Sequence, residues 1–505
     1  MTYNVLQYLE ASATGENGDR VAFADNKTSI TYTELVNASR SVGTALINRG
    51  ITKGAIAVIM QKSSACFFAY FAAVYAGCFY VPVDDMMPIE RINLIFDTLN
   101  PSFVLYDQPN AAKISQLNLN CEHSLIDDLL STQVDDKLLD DVRTKSISTD
   151  PVYALFTSGS TGVPKGVIVN HSSIIAYAEW LADTFEYDRN TVFGNQTPFY
   201  FSMSVHDIFS TIKCGCTMQI IPKKYFSFPG RLSEYLCEKK VNTIYWVPTA
   251  MCLVADSDAF SKRVVPDLQK ILFAGEVMPT KQLNYWISKL PNALYVNMFG
   301  PTEITDIGVY YVVNRKFADD EPLPIGQPCL NCGCLVLTDD MRQAAPDEEG
   351  ELCIRGAFLA MGYYNNPERT ASVFVQNPLN PHYPEIIYKT GDLVKYNEYG
   401  ELMFVGRKDF QIKHMGYRIE LGEIETALGA VDGVVTACCV YDDVNDRIVC
   451  FYKGSIDSND LLRAVTSKLP QYMVPSDYIK LNSLPMNANG KIDRKKLRND
   501  YVKSD

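Results

Sequence analysis

The stretch that decides the fold is Thr157-Ser158-Gly159-Ser160-Thr161-Gly162-Val163-Pro164-Lys165-Gly166, called here the Ser/Thr/Gly loop. It follows an apolar run, 153–156, that indicates a buried strand, and it precedes a stretch with a helical pattern. The glycines let backbone amides approach a ligand, the hydroxyls donate hydrogen bonds, and Lys165 supplies charge. The loop therefore suits a polyphosphate. It lacks the Gly-Lys-Ser/Thr ending of the common nucleotide loop, and a flexible surface loop is the alternative.

On both sides of this loop, short β-rich runs alternate with helical patterns, which predicts an α/β fold. Predicted strands lie at 55–60, 103–106, 153–157, 243–247 and 270–273, and predicted helices at 32–49 and 231–239. From residue 324 the pattern changes to short strands separated by Gly and Pro turns, at 335–338, 350–355 and 402–405. A compact αβ pattern then begins with a helix at 421–428. We predict a β-rich subdomain over about 324–405.

The distribution of charge along the chain predicts a domain boundary near residue 408, close to the end of this β-rich subdomain. The 505 residues carry 46 Lys and Arg against 59 Asp and Glu, a formal charge of −13. Residues 409–505 hold 13 of the basic and 14 of the acidic side chains, so residues 1–408 hold 33 and 45. We predict an N-terminal core over 1–408 and a C-terminal domain over 409–505. The acidic balance argues against a nucleic-acid surface.

Cysteine usage and hydropathy bear on the compartment. The amino terminus shows no signal-peptide pattern, and 14 Cys in 505 residues favour a reducing cytoplasm. Cys329, Cys332 and Cys334 lie close enough in sequence to suggest zinc, but no second pair follows at finger spacing, which favours structural thiols.

The uncharged segment 65–83 has the length of a membrane span. Gly77 interrupts it, however, and a buried helix followed by a strand at 79–83 fits equally well.

Three further motifs carry polar groups in tight turns. Asn297-Met298-Phe299-Gly300-Pro301-Thr302-Glu303 follows an apolar run, so that Phe299 could stack on a base and Glu303 could hold Mg²⁺. In Tyr388-Lys389-Thr390-Gly391-Asp392, a carboxylate could bind ribose hydroxyls, as could Arg407. Lys491 follows a Gly turn in Asn489-Gly490-Lys491. Taken alone, its spacing favours a solvated loop lysine.

Taken together, these motifs resemble the AMP-forming adenylation superfamily, which includes nonribosomal peptide synthetase adenylation domains, acyl-CoA synthetases and luciferases. The resemblance covers some 460 residues and is carried, besides the motifs above, by 30–35, 75–84, Gly350-Glu351-Leu352, Gly362-Tyr363, Gly406-Arg407-Lys408-Asp409, Gly416-Tyr417-Arg418-Ile419-Glu420 and 469–475. Asn195-Gln196-Thr197-Pro198 and the chain length look most like the stand-alone D-alanine–D-alanyl carrier protein ligases.

The resemblance implies a fold and a nucleotide site. The fold is a large N-terminal lobe of two α/β-sheet subdomains and a small β-barrel, with a small mobile α+β lid domain. The cofactors are ATP and Mg²⁺, and Glu303 would hold the metal. The residues implied for ATP binding are Thr157, Ser158, Gly159, Ser160, Thr161, Gly162, Lys165, Gly275, Glu276, Asn297, Phe299, Gly300, Thr302, Glu303, Asp392, Arg407 and Lys491.

The resemblance also assigns catalytic roles to Lys491, Glu303, Lys165 and Thr157. Lys491 would bridge the substrate carboxylate and the α-phosphate, because a cation where two anions meet stabilises the transition state. Asp409 matches the hinge position of the family. Rotation there would withdraw Lys491 and bring the loop near Gly416 toward a thiol channel.

The acyl pocket departs from the family. It is implied to include Phe201, Ser202, Met203, His206, Tyr245, Leu272, Ala274, Met298, Asp306 and Ile307. Amino-acid-activating members carry at position 202 an Asp that pairs with the α-ammonium, and the ligases carry Cys at position 274. We hypothesise that Asp306, alone or together with His206, binds a displaced amino group. The alternatives are that Asp306 faces solvent or belongs to the Mg²⁺ shell, and that His206 only shapes the pocket.

The sequence thus predicts an enzyme that adenylates a small carboxylic acid, with an amino acid as the favoured substrate. It would load the acyl group on a phosphopantetheinylated carrier protein in trans, since 14 residues after Lys491 leave no room for a carrier domain. An acyl- or aryl-CoA ligase is the runner-up, favoured by Ser202, and a silent adenylate-binding protein is a remote alternative. We expect no nucleic-acid partner and no membrane insertion.

Overall fold

A computed structural model describes residues 2–159, 162–486 and 492–502. Its helices are α1 (Leu6–Ser12), α2 (Tyr32–Asn48), α3 (Cys66–Tyr75), α4 (Ile89–Leu99), α5 (Ala111–Ile114), α6 (Asp136–Arg143), α7 (His171–Thr184), α8 (Met203–Cys214), α9 (Pro229–Glu238), α10 (Pro248–Asp256), α11 (Ala259–Lys262), α12 (Thr280–Lys289), α13 (Pro367–Val373), α14 (Leu421–Gly429), α15 (Ser458–Thr466) and α16 (Arg494–Leu497).

The first fifteen strands of the chain belong to two large sheets and lie between these helices. They are β1 (Val21–Ala24), β2 (Ser29–Thr31), β3 (Ala55–Ile59), β4 (Phe79–Pro82), β5 (Phe103–Tyr106), β6 (Glu122–Leu125), β7 (Pro151–Thr157), β8 (Lys165–Asn170), β9 (Val192–Asn195), β10 (Thr217–Ile220), β11 (Thr243–Trp246), β12 (Lys270–Phe273), β13 (Leu294–Phe299), β14 (Val309–Val312) and β15 (Gln327–Pro328). The other strands are β16 (Cys332–Leu337), β17 (Gly350–Gly356), β18 (Gly362–Tyr363), β19 (Phe374–Gln376), β20 (Ile386–Tyr396), β21 (Leu402–Arg407), β22 (Gln411–His414), β23 (Tyr417–Glu420), β24 (Val434–Asp442), β25 (Arg447–Gly454) and β26 (Asp477–Lys480).

Two large sheets build the N-terminal domain. One has nine strands in the order β15-β14-β13-β12-β11-β9-β10-β1-β2, and the other has seven in the order β18-β8-β7-β4-β3-β5-β6. The largest apolar core contains buried residues from both sheets and from α2, α3, α7 and α8. Because β9, β11, β12 and β13 run parallel, their carboxyl ends meet at one edge, where open α/β sheets bind ligands.

The Ser/Thr/Gly loop departs from its predicted surroundings. The stretch after it is not a helix but strand β8, which pairs antiparallel with β7 from Thr157↔Lys165 onward. Val167, Ile168 and Val169 supply the β-branched side chains that favour a strand. The helical pattern begins only at α7, where the Asn170 side chain caps the first turn by accepting the Ser173 N–H. The loop therefore joins the two strands of a hairpin.

The remaining sheets are small. The subdomain predicted as a β-barrel is a five-stranded antiparallel sheet, β16-β17-β20-β19 with β21 also paired to β20, and among the described residues its strand pairs do not close into a ring. The small C-terminal domain contains the β22–β23 hairpin and a three-stranded sheet, β24-β25-β26. α14 and α15 pack on that sheet around a core of their own.

The segment with the length of a membrane span is buried inside the protein. It forms α3, a turn at Gly77 with φ of +72°, and strand β4, which pairs with β3 and β7. Among the described residues, no helix combines the length and the apolar character that a membrane crossing requires. The fourteen cysteines all fall in the described part of the chain and are free thiols.

Candidate active site

One cleft lies where the carboxyl ends of the parallel strands, the Ser/Thr/Gly loop and the C-terminal domain meet. It encloses about 1160 Å³ of empty space, part of it open to solvent. The residues that line it include Thr157, Ser158, Phe201, Ser202, Met203, Ala274, Gly275, Gly300, Thr302, Asp306, Ile307, Asp392, Arg407, Lys413, Gly416, Tyr417, Arg418 and Tyr472. The cleft thus contains members of both the ATP set and the acyl-pocket set from the sequence analysis.

The first described residues of the Ser/Thr/Gly loop contact the C-terminal domain. Ser158 Oγ donates to the Arg418 carbonyl at 2.8 Å and accepts the Glu420 N–H at 3.2 Å. The Gly159 N–H donates to Glu423 Oε2 at 3.0 Å. Thr157 Oγ1, in contrast, is buried without a hydrogen-bond partner among the described residues. A buried hydroxyl without a partner costs free energy, which suggests that a polar ligand completes this part of the site.

Glu303 lies at the centre of a buried charge cluster. Its Oε2 accepts Arg418 Nη1 at 2.6 Å and its Oε1 accepts the Tyr363 hydroxyl at 2.6 Å. The Lys165 Nζ lies 3.9 Å from Oε1. Burial alone would raise the pKa of Glu303, but Arg418 and Lys165 hold it at about 2. Burial and the Arg418 charge lower the pKa of Lys165 to about 8. Glu303 is therefore ionised, as a metal-binding carboxylate must be.

The residues implied for the sugar lie together. Asp392 is buried, its Oδ1 accepts Arg407 Nη1 at 2.5 Å, and Arg407 Nε also donates to Asp409 Oδ1 at 2.7 Å. Arg407 thus connects Asp392 to Asp409, the implied hinge residue.

Gly300 must lack a side chain, since a Cβ there would lie 2.3 Å from the Asp306 carbonyl oxygen.

The residues implied for the base are more dispersed. Phe299 ends β13, and its ring lies 4.4 Å from the Lys413 ammonium, so a cation contacts the predicted stacking surface. Glu276 accepts the N–H groups of Thr249 at 2.8 Å and Gly416 at 2.6 Å. Asn297 donates to the Pro324 carbonyl at 2.8 Å and is buried beneath the cleft. Glu276 and Asn297 therefore bind protein groups in this arrangement.

The acyl side of the cleft is mostly apolar except at one point. Phe201, Ser202, Met203, Ala274 and Ile307 line it, and Phe201 packs edge-on against Tyr417 of the C-terminal domain with ring centroids 4.6 Å apart. Met203 and Ala274 are buried. Such a wall suits a small acyl group, because side chains from both domains close it.

The exception is Asp306, which is 1% exposed and lines the cleft. Its Oδ2 accepts the hydroxyls of Tyr177 at 2.8 Å and Tyr245 at 3.0 Å. Burial raises its pKa to about 6, although Tyr177, the charge of His206, Tyr245 and Ser202 favour the charged form. No Lys, Arg or His among the described residues forms an ion pair with it. Asp306 neither faces solvent nor contacts Glu303 in this structure. It is a buried carboxylate without an ion-pair partner among the described residues.

The other implied acyl-pocket residues stand behind this wall. His206 is fully buried, its Nδ1 pairs with Asp207 Oδ1 at 2.8 Å and its Nε2 with the Tyr187 hydroxyl at 3.1 Å. With both ring nitrogens engaged, His206 supports Tyr245, whose ring centroid lies 4.5 Å away. Leu272 and Met298 are buried in strands β12 and β13. These residues do not line the cleft themselves but pack behind the residues that do.

Several residues at or beside the cleft were not among those that the family resemblance assigns to the site. Arg418 and Glu423 lie in and after the Gly416 motif, and Tyr472 lies in the 469–475 motif, where it stacks on Tyr417 with ring centroids 3.5 Å apart. Arg91 of α4 pairs with Glu423. The two motifs signalled the C-terminal residues, but no sequence pattern signalled Arg91. Ser160, Thr161 and Lys491 lie outside the described residues.

The Ser/Thr/Gly loop, the buried Glu303 and the cleft between the two domains together suit an enzyme that binds a nucleotide. The family model for "AMP-binding enzyme" matches residues 9–364, and that for the "AMP-binding enzyme C-terminal domain" matches 423–491. The chain belongs to the AMP-binding enzyme family.

Individual relatives agree with this assignment. The chain is 32% identical over 511 residues to a D-alanine–D-alanyl carrier protein ligase from Staphylococcus aureus, covering 98% of each chain. It is 31% identical to tyrocidine synthase 1 from Brevibacillus parabrevis, over 95% of this chain, but spans only 43% of that relative. A crystal structure of the Vibrio cholerae adenylation domain AlmE with glycyl-adenosine-5′-phosphate has the same fold, with a TM-score of 0.84, 22% identity and coverage of 99% and 98%.

Proposed function

We propose that this protein is an AMP-forming ligase that activates a small amino acid with ATP and passes the aminoacyl group to the phosphopantetheine thiol of a carrier protein. The observation that carries the choice of substrate is Asp306, a buried carboxylate that faces the acyl side of the cleft. The name of the Staphylococcus aureus relative, a D-alanine–D-alanyl carrier protein ligase, supports both the amino acid and the carrier protein.

Asp306 favours an ammonium ligand on electrostatic grounds. An unpaired buried charge is costly, and a cationic ligand removes that cost on binding. Tyr177 and Tyr245 fix one carboxylate oxygen, which fixes where the ammonium would sit. Since Ser202 occupies the position of the usual α-ammonium partner, the amino group would lie displaced toward Asp306, as in a β-amino acid. A neutral aryl acid would leave the carboxylate without a partner.

The nucleotide site fits ATP. The unpartnered Thr157 hydroxyl lies where the Ser/Thr/Gly loop would hold phosphates, as does the Gly159 N–H, which donates to Glu423 in this structure. Asp392 and Arg407, which pair with each other here, would hold the ribose. Glu303 has hard carboxylate oxygens of the kind that Mg²⁺ prefers, and in this structure they accept Arg418 and Tyr363. When bound there, Mg²⁺ would neutralise charge on the phosphates. Lys165, beside Glu303, would add a second positive charge.

The reaction would take place in two steps. A carboxylate oxygen of the amino acid attacks the α-phosphorus of ATP, an O–P bond forms, and the bond to pyrophosphate breaks. The carrier thiol, losing its proton, then attacks the acyl carbon, a C–S bond forms and AMP leaves. Lys491 would stabilise the first step. We infer that the C-terminal domain, beginning near Asp409, rotates between the steps to exchange Lys491 for the β22–β23 hairpin.

A panel of acids tests the substrate class. We expect ATP–pyrophosphate exchange with small amino acids, β-amino acids among them, and little exchange with hydroxy or aryl acids of the same size. The physical reason is the unpaired Asp306 carboxylate, which would favour an ammonium by about 10²-fold or more. Exchange with aryl acids alone would contradict the proposal and favour the acyl- or aryl-CoA ligase.

The acceptor is tested separately. With the amino acid found in the panel, we expect thioester formation on a phosphopantetheinylated carrier protein to be at least about tenfold more efficient than on free coenzyme A. A carrier protein without the phosphopantetheine arm is the control and should give no thioester. Comparable efficiency with coenzyme A would contradict the choice of acceptor.

We also infer a cytoplasmic location from the free thiols.

A further inference from the structure

The backbone that carries Asp306 forms a strained turn. Thr305 has a φ of +70° and a ψ of −45°, and the Asp306 N–H donates to the Ile304 carbonyl at 2.8 Å. This is a γ-turn of the rare form in which the central residue has a positive φ. A β-branched residue is an outlier in that region, and the conformation costs free energy. The surrounding structure therefore has to impose the turn.

Two buried hydroxyls hold the turn in place. Thr305 Oγ1 donates to the Phe358 carbonyl at 2.7 Å, and the Tyr153 hydroxyl donates to the Thr305 carbonyl at 3.3 Å. Thr305 and Tyr153 are both fully buried. Backbone strain of this kind persists where the position of a side chain matters for function. The turn thus fixes the direction from which Asp306 enters the acyl side of the cleft.

The Asp306 carboxylate at the end of this turn accepts two hydroxyls. Tyr177 of α7 and Tyr245 of β11 both donate to Oδ2, at 2.8 and 3.0 Å, and both are at most 1% exposed. Burial and, after it, the charge of Asp306 raise the pKa of both tyrosines well above the usual value, so the hydroxyls keep their protons and act as donors. Since the two bonds use the lone pairs of Oδ2, Oδ1 is the acceptor that remains for a ligand.

We propose that Tyr177 and Tyr245 are positioning residues whose hydroxyls keep the Asp306 carboxylate ionised in its apolar surroundings and direct Oδ1 to the ammonium group of the substrate. The proposal rests on the proposed function, because it takes Asp306 as the ammonium site. Without these donors, a buried carboxyl takes up a proton more readily, and a neutral carboxyl group no longer favours a cation. Two residues that do not line the cleft themselves therefore decide that an amino acid is selected.

This arrangement makes the binding of amino acids dependent on pH. Burial raises the pKa of Asp306 to about 6, so below that pH the carboxyl group is neutral and binds an ammonium group weakly. The other titratable groups facing it are His206 of α8, Tyr153 of β7 and Cys329 after β15. Burial raises the pKa of Tyr153 and of Cys329 well above the usual values, so these two stay neutral. His206 pairs with Asp207 and Tyr187, and thus not with the hydroxyls that hold Asp306.

The pH profile of kcat/KM tests the proposal, because it reports the ionisation of groups in the free enzyme. In Tyr177→Phe and in Tyr245→Phe, loss of one hydrogen bond to a charged group should move the acidic limb of ATP–pyrophosphate exchange with the amino acid to higher pH by about one unit. Starting from a pKa of about 6, this shift lowers kcat/KM about fivefold at pH 6 and leaves it nearly unchanged at pH 8. The loss should lie in KM for the amino acid and not in kcat, because the hydroxyls act on binding.

Tyr295→Phe is the matched control. Tyr295 is also buried, but its hydroxyl donates to the Trp286 and Leu290 carbonyls at 2.8 and 3.0 Å, and not to a carboxylate. Its loss should leave the acidic limb where it is. A limb that stays in place in both Tyr177→Phe and Tyr245→Phe would overturn the proposal. A loss of equal size at pH 6 and pH 8 would also overturn it, since the hydroxyls would then only support the packing.

Thermal unfolding supplies a readout that needs no substrate. The folded protein holds the Asp306 proton more tightly than the unfolded chain does, so stability falls as the pH rises through the folded-state pKa. A hydroxyl that favours the charged form limits this fall. Between pH 5 and pH 8 we expect Tm to fall further in Tyr177→Phe than in the unaltered protein, and Tyr295→Phe to behave like the unaltered protein. Equal falls in all three would contradict the proposal. If no acid is activated, the proposed function fails, and this comparison still decides whether the hydroxyls keep Asp306 charged.

Discussion

Replacement of Asp306 by asparagine is expected to abolish activation of amino acids. The variant keeps an oxygen that can accept the Tyr177 and Tyr245 hydroxyls, so the pocket keeps its shape and loses only the charge. Leaving a bound ammonium without its buried counter-ion costs about 3–5 kcal/mol, or roughly 10²- to 10³-fold in kcat/KM for ATP–pyrophosphate exchange. Any residual exchange with acids that lack an amino group should not fall.

Asp207→Asn is the matched control. Asp207 is also buried, but it lies behind the wall, where it accepts the Asn195 amide at 2.9 Å and pairs with His206. Its replacement should lower exchange with all acids alike, through disturbed packing. A uniform loss in Asp306→Asn, or no loss, would contradict the assignment of Asp306 as the ammonium site.

The same substitution should stabilise the protein without ligand. Burial raises the pKa of Asp306 from 3.8 to about 6, so the folded state holds this proton more tightly than the unfolded state does. The free energy of unfolding therefore falls as the pH rises through 6. Asp306→Asn removes this dependence and should gain roughly 2–3 kcal/mol at pH 8 and nothing below about pH 4. Thermal unfolding at both pH values measures the difference, and a destabilised variant at pH 8 would contradict the argument.

Replacement of Lys491 by alanine is expected to separate the two steps. Three cations described at the cleft already face carboxylates: Lys165 and Arg418 meet Glu303, and Arg407 meets Asp392. A fourth, Lys413, lies against the Phe299 ring. A further cation is needed where the substrate carboxylate approaches the α-phosphate, and the family resemblance assigns Lys491 to that point. Loss of such a charge should lower adenylation by about 10²- to 10³-fold. Thioester formation from supplied aminoacyl-AMP should continue.

Lys495→Ala provides the control for this result. Lys495 lies four positions further along, on the exposed side of α16, so its removal changes the net charge equally without reaching the reaction. Both steps should proceed normally in that variant. Adenylation that survives Lys491→Ala would show that another group stabilises the transition state.

The two substitutions bear on separate parts of the proposal. Asp306→Asn tests which acid is bound, and Lys491→Ala tests how it is activated. An enzyme that fails the first test and passes the second would still adenylate, but with a substrate of another class. The acid panel and the acceptor comparison then identify that class.

The sequence by itself determined the family, and it determined the local structures that form the site. Predicted strands at 55–60, 103–106 and 270–273 correspond to β3, β5 and β12, because a short apolar run rich in residues that favour strands is a local property. The error after the Ser/Thr/Gly loop was also local, since the apolar run 167–169 within β8 is too short to distinguish a strand from the start of a helix. Pairing with β7 decided between them.

Only the tertiary structure decided which groups meet. Asp306 lies 129 residues from Tyr177 and 61 from Tyr245 in the chain, and Gly159 lies 264 residues from Glu423. No periodicity links positions so far apart, because their contact depends on how the sheets and helices pack. The sequence showed that Asp306 stood in an unusual place. The fold buried it and surrounded it with hydroxyls, and that burial is the physical reason for which we propose it as an ammonium site.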